Sequence, residues 1–149
     1  MARNSVAYDE DFFAWTQEQS RLLREGELSL IDAENVAEEL ESMGRNNRRE
    51  LSSRLTVLLL HMLKWQFQSG RRSRSWLVTI NTQRDEIAKI VADSPSLRPA
   101  IPEALPLAYA SARRDAAVET RLPVARFPVE CPFTAEYALS GPFPPDDQP

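Results

Sequence analysis

The sequence predicts an all-α protein: a bundle of about five helices around a long central third helix, followed by an extended, Pro-containing C-terminal segment. Two patterns carry this. Apolar residues recur at three- and four-residue spacing over five stretches, and no run alternates with the two-residue period of a strand. Composition agrees: 149 residues, 42% hydrophobic and 27% charged, suit one globular domain, placed at 1–140.

Each element has its own signals. The first helix is expected from Asp9 or Asp11 to Glu25, with acids at its positive N-terminal end and Gly26 to stop it. Phe12, Trp15, Gln19, Leu22 and Leu23 form its stripe. The second is expected from Asp32 to Met43, terminated by Gly44, with Ala33, Val36, Ala37, Leu40 and Met43 as its buried face. The third runs from about Asn47 to Gln68. Leu51, Leu55, Leu58, Leu59 and Met62 form one stripe while Val57, Leu60, Leu63 and Phe67 point elsewhere. A helix apolar nearly all round is central, enclosed by its own domain or by a second chain. The fourth opens at Ser73 or Ser75 and runs to about Val91. The fifth spans about Pro102 to Thr120, with Pro106 near its first turn or at a kink. Pro123, Pro128 and Pro132 indicate an extended segment, Thr134 caps one last turn, and 141–149 reads as a disordered Pro-rich tail.

Several classes are excluded. One Cys rules out a disulfide scaffold, and one His rules out two-His metal ligation. Four Gly and no GxGxxG or GxxxxGK[ST] leave no glycine loop for phosphate. The longest strongly apolar run is Val57–Leu60, far below the roughly 20 residues a bilayer needs. The start shows no signal-peptide core, so a cytoplasmic location with no membrane partner is expected. Net charge is −4, which is not a nucleic-acid footprint, but its distribution is uneven. Residues 1–50 carry six Arg against twelve acids, 51–100 eight bases against three acids, and 101–149 four against seven.

Three constellations could carry chemistry. Glu34, Glu38 and Glu41 share one side of a helix, and with His61 they are the candidate ligands for a divalent metal in a hydrolase; no other cofactor is predicted. The same carboxylates suit pairing with Arg45, Arg48 or Arg84, and His61 suits a core edge with one hydrogen-bond partner. Arg71, Arg72, Arg74 and Trp76 sit at a helix start that attracts anions, with Trp65 also flanking, so a phosphate or nucleic-acid backbone would fit there. Pairing with the acidic first 50 residues would also satisfy them, with the tryptophans in the core, and the internal charge balance favours that pairing. Cys131 follows Glu130, which raises a thiol pKa and suits a small buried role.

The strings DFFAWTQEQSRLLREG (11–26), ENVAEELESMGRNNRRELSSRL (34–55), HMLKWQFQ (61–68), RSRSWLVTINTQRDEI (72–87), SPSLRPAIPEALPLAYASARRDA (94–116) and ECPFT (130–134) occur in one order and spacing. Together they resemble a bacterial domain-of-unknown-function family, the one numbered twenty-nine, over about residues 8–139. The resemblance implies an all-helical domain, with no established reaction and no functional residues to carry over. Function therefore rests on the residues. With no specific catalytic constellation, the first expectation is a non-enzymatic protein-interaction or assembly module, met by a protein partner or by a second copy in a homodimer. Nucleic acid stands behind these as a partner.

Overall fold

A computed structural model describes residues 6–145. It is all-helical, with no strand among the described residues: α1 (Phe12–Arg24), α2 (Ala33–Phe67), α3 (Arg74–Asp93), α4 (Ala100–Thr120) and α5 (Ala135–Ser140). The caps follow from residue chemistry. Asp11 opens α1 by accepting from the Ala14 N–H at 3.0 Å. Gly26, at φ +73, closes it: its N–H reaches the Leu23 carbonyl and the Glu27 N–H reaches that of Leu22, two bonds that satisfy helix-end carbonyls. Thr134 caps α5 through the Tyr137 N–H at 3.1 Å.

The second and third predicted helices are one. Gly44 does not terminate Asp32–Met43; it lies inside the 35-residue α2. A mid-helix glycine costs only about 1 kcal/mol relative to alanine. Arg45 spans the position, reaching Glu38 at 2.9 Å and Glu41 at 4.0 Å. The apolar phase also runs on, from Val36, Leu40 and Met43 into Leu51, Leu55, Leu58 and Met62. At Pro106 the fifth predicted helix, now α4, continues as well.

The chain gathers into two compact units that divide between Asn46 and Asn47. In the first, a polar network ties α1 to the start of α2. Trp15 Nε1 donates to Asp32 at 3.1 Å, Asn35 Nδ2 donates to the same carboxylate at 2.8 Å, and buried Gln19 accepts from the Asp32 N–H at 2.8 Å. The Asn35 contact, with that of Trp15, holds the Asp32 carboxyl below its ordinary range. The Tyr8 hydroxyl donates to Glu39, which raises its pKa to about 12.

The second unit holds the main core. Leu51, Leu55, Leu58, Leu59, Met62 and Leu63 of α2 are fully enclosed. Their neighbours are Ile80, Ile87 and Val91 of α3, Ile101 to Ala116 of α4, and Phe127, Phe133 and Ala138 beyond. The leucine-rich helix thus finds its cover within its own chain, so it gives no reason to invoke a second one. The C-terminal segment is pinned by carbonyl contacts: Arg113 Nε to Phe127 at 3.1 Å and the Tyr109 hydroxyl to Pro128. Gly141–Pro145 is placed, with Phe143 edge-on to Trp65 at 5.8 Å. The rest of the predicted tail, 146–149, lies outside the described residues.

Candidate functional site

The largest departure from expectation lies in the first unit. Leu40 and Met43, expected in the buried stripe of the second helix, are each 63% exposed; Ala33 and Ala37 are exposed too, and Val36 is half-buried. On α1, Trp15, Gln19 and Leu22 are buried, but Phe12 and Leu23 are half open. The reason is arithmetic of surfaces: this unit offers α2 a single helical neighbour, and the polar network at Asp32 fixes which faces meet. What remains is a shallow groove of about 570 Å³. Its walls are Leu23 and Trp15 on one helix and Val36, Leu40 and Met43 on the other. Around it the charge is strongly one-sided. The first 46 residues carry four Arg against eleven Asp and Glu, net −7.

The predicted metal ligands are not brought together. Among the described residues no three His, Cys, Asp or Glu side chains gather where a metal ion could be held. Glu34 is exposed, Glu38 and Glu41 face Arg45, and His61 belongs to the second unit. The His61 Nδ1 lies 2.9 Å from the Val57 carbonyl, and burial pulls its pKa down. That is the single satisfied partner a core-edge histidine needs.

The basic segment splits. Arg72 turns inward: its Nε donates to the Trp65 carbonyl at 2.8 Å and its guanidinium covers the Trp65 ring at 5.1 Å. Lys64 covers Trp76 at 4.7 Å and pairs with Glu119 at 2.9 Å. A cation of the chain itself therefore covers one face of each tryptophan proposed for stacking. Arg71 and Arg74 are exposed. Cys131 donates to the Phe133 carbonyl at 3.3 Å, and burial pushes its thiol pKa up, away from the nucleophilic form.

Residue reasoning missed Arg84 as a brace. It was offered as a carboxylate partner, yet its Nε, Nη1 and Nη2 donate to the carbonyls of Ala138 (2.9 Å), Gly141 (2.8 Å) and Tyr137 (3.0 Å). A cation closing the C-terminal end of α5 suits the negative pole of a helix. Nothing in the local pattern around Arg84 signals it, because the acceptors lie more than 50 positions away.

No helix among the described residues is long and apolar enough to cross a membrane. No curated protein and no solved structure matches the chain. One family model does, over residues 7–143, nearly the whole length. The chain belongs to that family, domain of unknown function DUF29.

Proposed function

We propose that this protein is a protein-interaction module, whose docking face is the open apolar groove between α1 and the first turns of α2. The carrying observation is the exposure of Leu40 and Met43 on a stripe with full helical periodicity. Such a stripe favours burial at roughly 25 cal/mol per Å², and a unit of 46 residues has too little core of its own to spare it. A groove between two helices suits a third, laid in with residues at i, i+3, i+4 and i+7. Charge selects the occupant. Two copies pairing face to face would bring together two regions of net −7, whereas an amphipathic helix carrying Lys or Arg beside its apolar stripe would be drawn in.

The test uses the full chain and two synthetic peptides of identical Leu/Lys composition, one amphipathic as a helix and one scrambled. The chain alone is expected to sediment as a monomer. It should bind the amphipathic peptide in a salt-sensitive manner, and Leu40→Glu with Met43→Glu should reduce that binding by at least tenfold. A dimer that those changes dissociate would replace the partner helix with a second copy. Equal binding of both peptides, or no effect of the substitutions, overturns the reading.

A further inference from the structure

A second groove, within the 47–149 unit, has the walls of a small-molecule site. It measures about 690 Å³, inside the usual range for ligand pockets, and is formed by α3, the start of α4, and α5. Its apolar lining includes Val91, Ile101 and Leu139, with Ile87 beside them. Two cations share this lining, Arg84 and Arg98. Neither has a carboxylate within ion-pair distance among the described residues. Arg84 is spent on three carbonyls and is held in place by them. Among the described residues the Arg98 side chain has no hydrogen-bond partner, and it is exposed. One acid, Glu136, also lines the groove, without an ion-pair partner among the described residues, so the lining carries two positive charges against one negative.

A mostly apolar trough with a surplus cation is matched by a molecule of the opposite build. We propose that this groove binds a small amphiphilic carboxylate, its hydrocarbon chain lying along Ala88, Ala92 and Leu139 over the buried Val91 and Ile101, and its head group meeting Arg98. The fixed guanidinium of Arg84 adds attraction without needing to move. The guanidinium of Arg98 presents paired N–H donors that fit a carboxylate edge. A neutral molecule of the same length would gain the apolar contacts alone.

Sodium octanoate and 1-octanol are the probes, titrated into the ¹⁵N-labelled full chain below micellar concentration and read by amide shifts. Saturable shifts are expected at Ala88, Ala92, Leu139 and Ser140. Octanoate should bind about threefold more tightly than octanol, the factor for one charge pair at an exposed site. Arg98→Ala should remove most of that preference, leaving only the smaller attraction of Arg84, while octanol binding is unchanged. Ala88→Trp should abolish both, since Ala88 lines the groove with an exposed methyl that a larger ring would replace. If that variant unfolds, Ala92→Trp makes the same test from the same helix. Shifts that do not saturate, equal binding of acid and alcohol, or binding that survives a filled groove would each overturn the proposal.

Discussion

Leu40 and Met43 lie close to the same face of α2 as Leu51, Leu55, Leu58 and Met62, yet the first two are open to water and the last four are sealed. The units they belong to differ in the same way. Among the described residues, up to Asn46 only Trp15, Leu22 and Gln19 are buried, whereas from Asn47 onward nineteen apolar side chains are. Periodicity states which face of a helix gains from cover; it does not state how many neighbours the chain supplies. The second unit supplies α3, α4 and the 127–138 segment, and the first supplies α1 alone.

The sharpest way to break this contrast is a pair of matched truncations on one helix. Leu58→Ala should cost about 3 kcal/mol, because it leaves a cavity in a close-packed core. Leu40→Ala should stay within about 0.5 kcal/mol, because that side chain is already hydrated. Urea unfolding of the full chain measures both. A Leu40 cost approaching that of Leu58 would mean the groove is filled in solution, and the docking reading would then lose its free face.

Arg84 offers a test of a different kind of cover. Replacing it with Met keeps much of the stem but leaves the Ala138 and Gly141 carbonyls without the Arg84 donor and the Tyr137 carbonyl with only the Gly141 N–H. A loss of about 2 kcal/mol is expected, the scale for hydrogen bonds to a charged group. Lysine should recover less than half, since one ammonium cannot span three carbonyls as a planar fork does. Full recovery by lysine would reduce the arginine to its charge alone.

Most of the fold was legible because it depends on local rules. Asp11 and Thr134 cap their helices with their side chains, Ser73 stands at the start of α3 without a side-chain cap bond, and Gly26 adopts the positive φ that its place after a helix implies. Gly44 was misread for an instructive reason. Nothing after it blocks a helix, and the stripe keeps its phase across it, so the glycine had no competing conformation to favour. The sites were less legible because they depend on pairings distant in sequence. Arg72 with Trp65, Lys64 with Trp76 and Arg84 with the end of α5 are all facts of tertiary packing. A basic cluster read along the chain looks like one site; in space its members serve different partners.

Local opening sharpens the comparison at smaller energies. Amides of α1 should exchange with solvent at least tenfold faster, after correction for intrinsic rates, than those of Leu55 to Leu63, because so few apolar contacts close over α1. Uniform protection across both stretches would argue that the two units open together.

The smallest expected effect separates the units by pH. Burial holds the His61 pKa below 6.5, and hydrogen bonding, foremost from Asn35, holds the Asp32 pKa below 3.8. In both cases the unfolded chain takes up the proton at higher pH than the folded chain does, so stability falls with falling pH. The windows differ. The His61 loss begins near pH 6.5 and continues down to its lower folded value, whereas that of Asp32 begins only near pH 4. Urea unfolding at pH 7.5 and pH 5.5 should therefore show a drop for the native chain that His61→Gln removes. Between pH 5 and pH 3 the Asp32→Asn chain should lose stability less steeply than the native one. Because Asp32 ties α1 to α2 and His61 sits on the enclosed helix, the order of the two losses reports which unit is being loosened. A His61→Gln chain with an undiminished drop above pH 5.5 would place the proton elsewhere and separate that loss from His61.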